Sequence, residues 1–255
     1  MIKDKLLNRA QQLVTIIENP SSLKARFSGC YFEVYNMLYK MKSMNIIPKT
    51  IIDVGANRGM FSKTSNYLFK DAKIIAYEPL KDCYEELKKL NKKIPFFECY
   101  NYAIGNKKAK GQIFKSSYDY SSSLLEMADL HKEAFPVSEK TSFEDIEITS
   151  LDEALFDKDL EKPILIKIDV QGYENFVIEG GTKILEKTDI IICELSFYKL
   201  YQNQVLFKDV YNQLINLNFR FLGPVGELLH PEISSILQID GLFVKNNFKT
   251  LLDKN

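Results

Sequence analysis

Acids at the ends of apolar runs, together with one glycine loop, carry the chemistry legible in this chain. Ile51-Ile52-Asp53-Val54-Gly55-Ala56-Asn57-Arg58-Gly59 passes from an apolar run through an acid into a G-x-x-x-G loop. The amphipathic segment Met60 to Phe69 follows. Such an order reads as strand, tight loop and helix, the arrangement with which an open α/β sheet holds a nucleotide-like ligand. The loop lacks both the dinucleotide pattern G-x-G-x-x-G and the Gly-Lys-Ser/Thr of a phosphate loop. A nucleoside without phosphates, such as S-adenosylmethionine, fits better. Glycine lets the backbone approach it closely, and Asp53 offers an acceptor to its ammonium group. Glu78 closes the next apolar run, 25 positions after Asp53. An acid there can accept hydrogen bonds from both ribose hydroxyls, with Tyr77 and Pro79 shaping the pocket beside it.

A second acidic group lies further on. Lys167-Ile168-Asp169-Val170-Gln171-Gly172-Tyr173-Glu174 ends one apolar run, and Glu194 ends the next. Open α/β sheets place their sites at the carboxyl ends of central strands. From there, Asp169 and Glu194 could position a substrate hydroxyl, act as general base, or hold a divalent cation through oxygen ligands. Lys167 shares strand parity with Asp169; a buried lysine needs a partner, which Asp169 or Glu194 supplies. His230, followed by Pro231, is the remaining candidate base, since its ordinary pKa suits removal of a proton from an alcohol. His131 lies in an irregular stretch and is a weaker candidate.

These residues need a frame. From Lys49 onward, apolar runs alternate with helical patterns, which predicts βαβ units and a parallel sheet covered on both faces. The predicted strands are Thr50–Val54, Lys73–Glu78, Phe96–Tyr100, Ile164–Val170 and Asp189–Glu194. The predicted helices are Met60–Phe69, Leu80–Leu90, Tyr173–Leu185 and Leu206–Leu217. Ala103–Phe114, with Gly105-Asn106 and Gly111, reads as a hairpin. The polar run Ser116 to Ser123 follows, and residues 124–148 show no strong period. Phe219–Leu222 and Gln238–Lys245 read as two last strands joined by a long loop. Ahead of all this, Leu6, Leu7, Ala10, Leu13, Val14 and Ile17 recur at helical spacing until Asn19-Pro20. A second helix is expected over about Gly29 to Ser43. The expected division is an N-terminal helical extension, 1–47, and a main domain, 48–250. The extension either packs on its own domain or joins two copies.

Composition narrows the partners. Net charge is +0, so no overall field favours nucleic acid or an anionic membrane. The arginines are Arg9, Arg26, Arg58 and Arg220, too few for reading base edges. No apolar run reaches the length of a membrane span, and no signal peptide opens the chain. Cys30, Cys83, Cys99 and Cys193 form no C-x-x-C pair, which fits free thiols in a reducing compartment. A cytoplasmic protein is expected, monomeric or a homodimer.

In their order along the chain, the Asp53–Gly59 loop, Tyr77-Glu78-Pro79, Ala103-Ile104-Gly105, Ser121-Ser122-Ser123-Leu124, the Lys167–Glu174 motif and Asp240-Gly241-Leu242-Phe243-Val244 resemble FkbM-type methyltransferases. The likeness runs from about residue 48 to 246, and Gln171 departs from it where the family often has glutamate. It implies a class I methyltransferase (Rossmann-like) fold, a seven-stranded mostly parallel sheet ordered 3-2-1-4-5-7-6 with the last strand antiparallel. It implies S-adenosylmethionine as cofactor and O-methylation of a sugar, glycan precursor or related metabolite. On that likeness Asp53, Gly55, Ala56, Asn57 and Gly59 line the methionine side, and Glu78 holds the ribose. Asn101 and Ala103 border the adenine, and the serine run around Ser122 lies over the methyl or the acceptor. Asp169, then His230, then Glu194 are the candidate bases. N-methylation of an amine or phosphoramidate-like nitrogen, or a non-catalytic nucleoside-binding module, are the alternatives.

Overall fold

The structure is a computed structural model and describes residues 21–116, 121–138 and 141–253. The helix expected over residues 2–18, its Asn19-Pro20 stop and the middle of the polar run lie outside the described residues.

Two helices come first, α1 (Ser21–Phe27) and α2 (Phe32–Ser43). The alternating part follows as β1 (Thr50–Val54), α3 (Met60–Leu68), β2 (Lys73–Tyr77), α4 (Lys81–Lys88) and β3 (Phe97–Tyr100). An insertion contributes β4 (Ala103–Gly105), β5 (Ala109–Ser116), α5 (Asp129–Ala134), β6 (Thr141–Ser150) and α6 (Leu151–Ala154). Alternation resumes with β7 (Ile164–Ile168), α7 (Glu174–Glu179), α8 (Thr182–Lys187), β8 (Ile190–Ser196) and α9 (Phe207–Asn216). The chain closes with β9 (Phe219–Leu229) and β10 (Ile236–Lys245).

The main sheet has seven strands in the order β3-β2-β1-β7-β8-β10-β9. Counting only these strands, the order is 3-2-1-4-5-7-6, with β10 antiparallel to both neighbours. The class I methyltransferase topology expected from the sequence is therefore present. Order in the sheet reverses between β1 and β7, so the ends of those two strands open a crevice. Every residue of β1 and β7 is buried, as strands covered on both faces must be. Ile52, Ile166 and Ile191 pack on one face against Val177 of α7, Leu185 of α8 and Leu214 of α9. Ile51, Leu165 and Ile190 pack on the other against Leu38 and Met41 of α2 and Phe61 of α3. The apolar face of α2 is thus buried in its own domain.

Three expectations are corrected. Ala103–Phe114 is not a hairpin, because β6 lies between β4 and β5, parallel to the first and antiparallel to the second. The segment 141–150, which shows no strong period, is therefore the central strand of a second sheet. The helix expected from Tyr173 to Leu185 breaks at Gly180-Gly181, where a Cβ on Gly180 would sit 2.1 Å from the Gly105 carbonyl oxygen. Backbone of α7 meets backbone of β4 there. Finally, Gly223 to Gly226 is not loop but part of β9, which pairs with β10 as far as Leu229.

Candidate active site

The crevice outside β1, β2 and β7 is a cleft of about 640 Å³, counting its open mouth. Its wall includes Gly55, Asn57, Tyr77, Glu78, Pro79, Ala103, Ser122 and Asp169, all expected there from the sequence. Tyr102, Leu80, Ile113, Leu124 and Gln171 are among the others that line it. The four apolar or aromatic residues suit the face of a base, and the sequence reading missed them as contacts. An exposed Tyr102 just past β3 was the available signal.

Gly55 makes the crevice possible. Its φ is +79°, and a Cβ would meet the Asp169 carbonyl oxygen at 1.9 Å. The amides of Gly55 and Ala56 both donate to the Tyr77 carbonyl, at 3.1 and 3.0 Å, tying the loop to β2. Glu78 then locks that loop: Oε2 accepts from the Asn57 amide at 2.7 Å and Oε1 from the Leu80 amide at 2.8 Å. Burial pushes the Glu78 carboxyl up to about 7, against the lowering by those two amides. Each carboxylate oxygen retains a second lone pair for a donor from a ligand.

Several expected residues stand behind the wall rather than on it. Asp53 is fully buried; its Oδ2 accepts from Ser62 Oγ at 2.6 Å and its Oδ1 lies 3.9 Å from Lys167 Nζ. It faces the interior, behind the cleft wall. Ala56 is buried in the core, and Gly59, with φ +79°, has its Cα against Leu87 and Leu90 of the α4 side. Asn101 donates its amide to the carbonyls of Glu78 and Pro79, at 2.9 and 2.7 Å, so it shapes the Glu78 turn from outside the cleft. His230 lies in the turn between β9 and β10, where Nδ1 accepts from the Glu232 amide at 3.2 Å; it is absent from the cleft wall. His131 is buried against Tyr201 and Phe135 with neither ring nitrogen hydrogen-bonded, and burial holds it down to about 4.

The acids of the β7 and β8 ends are brought together. Asp169 Oδ2 accepts from Lys167 Nζ at 2.9 Å, confirming the shared parity, and Oδ1 accepts from Gln171 Nε2 at 2.8 Å. The same Nε2 lies 3.2 Å from both oxygens of Glu194. Glu194 sits within β8 opposite Asp240 of β10 rather than at the strand end. Burial, then Asp169, Glu174 and Asp240, pushes its carboxyl well above the ordinary carboxylate range. Burial also raises Glu174 to about 7 and Asp240 to about 6. For Lys167, Asp169 and Asp53 more than offset burial and hold the ammonium charged. Among the described residues no group of histidines, cysteines and acids is arranged to hold a metal ion.

The serine run roofs the cleft. Ser122 Oγ accepts from the Ser116 amide at 3.0 Å, and Ser123 Oγ donates to the Gln171 carbonyl at 2.6 Å.

No curated protein matches the chain in sequence. In outline it is similar to a putative RNA methyltransferase, PH1948 from Pyrococcus horikoshii, at 12% identity and TM-score 0.42, covering 83% of each chain. It is similar to TehB from Haemophilus influenzae at 10% identity and TM-score 0.43, covering 82% of this chain but only 59% of that one. Magnesium protoporphyrin IX methyltransferase from Synechocystis PCC 6803, solved with bound S-adenosylmethionine, gives 8% identity and TM-score 0.45 over 82% and 76%. The methyltransferase FkbM domain family matches residues 53–221, more than half of the chain. With that match laid over the crevice between β1 and β7, the chain belongs to the FkbM methyltransferases and is an S-adenosylmethionine-dependent enzyme.

Proposed function

We propose that this enzyme methylates a hydroxyl of a sugar, a glycan precursor or a related metabolite, with Asp169 as the proton acceptor. The carrying observation is that Asp169, its carboxylate held by Lys167 at 2.9 Å, opens onto the same cleft as Gly55 and Glu78. S-adenosylmethionine, when bound, supplies an electrophilic methyl, so the protein has to align the acceptor and take its proton. Gly55 and Asn57 border the methionine end, Glu78 takes the ribose hydroxyls, and Leu80, Ala103, Ile113 and Leu124 enclose the base. Asp169 receives the hydroxyl proton as the oxygen attacks, and Lys167 keeps that carboxylate in place. Ser122 lies over the acceptor side. Asp53 supports Lys167 from below, and His230 has no part.

One observation favours a second reading, N-methylation of an amine. Asp169, Glu174 and Asp240 act on Glu194 against Lys167, an excess of acid that would take the proton an ammonium must lose before its nitrogen attacks. Methyl-labelled S-adenosylmethionine offered with methyl glycosides, nucleotide sugars and primary amines separates the two. Label placed on a sugar oxygen as a methyl ether, by fragmentation of the product in mass spectrometry, supports the hydroxyl; label on amine nitrogen alone overturns it. Asp169→Asn, nearly isosteric, should lower turnover by roughly 10²–10⁴-fold, the range for a positioned proton acceptor. Calorimetry with S-adenosylhomocysteine should show far less change.

A further inference from the structure

Gln171 makes more contacts within the site than any acid does, yet it carries no charge and no proton to give up. It stands three residues beyond the end of β7 with φ +55°, in the left-handed region that a glutamine seldom adopts. That backbone turns its side chain back across the β7 and β8 ends. Nε2 lies 2.8 Å from Asp169 Oδ1 and 3.2 Å from each oxygen of Glu194. Oε1 accepts from the Tyr201 hydroxyl at 2.8 Å, and the backbone carbonyl accepts from Ser123 Oγ at 2.6 Å. Carboxylates only accept, whereas an amide has two N–H donors and one acceptor. The orientation with Nε2 toward the acids leaves Oε1 for the fully buried Tyr201, whose hydroxyl lies 2.8 Å from it and 3.3 Å from the Ser121 carbonyl.

We propose that Gln171 is a positioning residue, whose amide holds the Asp169 and Glu194 carboxyl groups side by side and keeps Asp169 aimed into the cleft. The role rests on Asp169 being the base, as argued above. The groups that face this pair are Lys167 on β7, Asp53 on β1, Glu174 on α7, Cys193 on β8, Asp240 on β10 and Tyr201 beyond β8. Glu33 on α2 acts on Asp240 from behind. Apart from Lys167, every charged group in that set is an acid. The amide and the ammonium are then the donors that hold the two carboxyl groups in place. Ser123 and Tyr201 link this clamp to the roof of the cleft and to the β8–α9 segment, so the clamp is set when the roof is in place.

The test uses the full chain bound to S-adenosylhomocysteine, with carboxyl carbons of Asp and Glu labelled for NMR. Asp169 and Glu194, both reached by the Gln171 amide, are followed together. Gln171→Met keeps the volume and removes both donors; the pair should titrate at least one pH unit higher than in the natural chain. Gln171→Glu should raise it further by adding a third acid. Tyr201→Phe removes only the hydroxyl that orients the amide and should give a smaller rise; it keeps the test open if Gln171→Met does not fold. The acid limb of methyl transfer, measured with the acceptor found by the panel, should move by the same amount. An unmoved titration in Gln171→Met and Gln171→Glu overturns the clamp, whatever Asp169 does. A moved titration with full turnover in Asp169→Asn instead overturns the assignment of Asp169 as base, and the positioning role falls with it.

Discussion

Glu78 shows how one side chain does two things. It satisfies the buried amides of Asn57 and Leu80, one on each carboxylate oxygen, and leaves lone pairs toward the cleft. Glu78→Ala should therefore lower stability and weaken S-adenosylhomocysteine, each by roughly 1–3 kcal/mol, the scale of a lost partner at a buried donor or charged acceptor. Chemical denaturation and calorimetry measure the two separately. Equal affinity in the variant would leave Glu78 a support of the loop alone. Its place at a strand end was legible from spacing, because a strand-end acid after a glycine loop has few other uses. Its bonds to Asn57 and Leu80 were not, since they depend on the path of the β1–α3 loop and on where α4 starts. Asp53 was misread for a related reason. Strand parity tells which face a side chain takes, but not that Ser62 and Lys167 already fill that face. His230 was misread because the length of β9, which carries it away into a turn, is hidden by Gly223, Pro224 and Gly226.

The β1–α3 connection is a good test of how far a single glycine governs an element. Gly55 has left-handed backbone and a neighbour 1.9 Å from any Cβ, the Asp169 carbonyl. The left-handed geometry alone costs an alanine roughly 1–2 kcal/mol, and the clash must also push the β7–α7 turn outward. Gly55→Ala should therefore destabilise by more than about 2 kcal/mol and weaken S-adenosylhomocysteine, because Asp169 and Gln171 move with that turn. Denaturant unfolding together with calorimetry would show it. The five parallel strands of the alternating part were legible to within about two residues at each end, and β1 is Thr50–Val54 as expected. They are long, apolar and periodic. The second sheet was not, because only Ile146, Ile148 and Ser150 of β6 are buried in alternation while Thr141 to Phe143 are exposed. Half a pattern does not register as a strand.

At the scale of the molecule, the buried acids should give an unusual response to pH. Burial raises Glu78 and Glu174 from 4.5 to about 7, and Asp240 from 3.8 to about 6. Between those values the folded chain holds protons that the unfolded chain has released. Stability from these groups is therefore full at the low end of the window and is lost as pH rises toward about 7. His131 opposes them: lowered from 6.5 to about 4, its contribution is present above 6.5 and lost as pH falls. Three acids outweigh one histidine, so the ligand-free chain should melt higher at about pH 5.5 than at about pH 7.5. A melting temperature that rises with pH across that range would contradict it. Removal of residues 1–47 is a second test at this scale. The family match begins at residue 53, yet Leu38 and Met41 of α2 cover Ile51, Leu165 and Ile190. The shortened chain should lose several kcal/mol by exposing that face, since each large apolar side chain contributes about 1.5–3 kcal/mol. It should precipitate where the full chain does not, as light scattering would record.

The outer rim of the main sheet has its own consequence. β9 is an edge strand, and Pro224 within it offers no backbone N–H. Its register with β10 slips between Ile236 and Gln238, between Asp240 and Gly241, and between Leu242 and Phe243. A strand from a neighbouring chain would meet an interrupted ladder of donors and acceptors along this edge. Cross-β stacking of copies through β9 is thereby disfavoured even in a crowded solution.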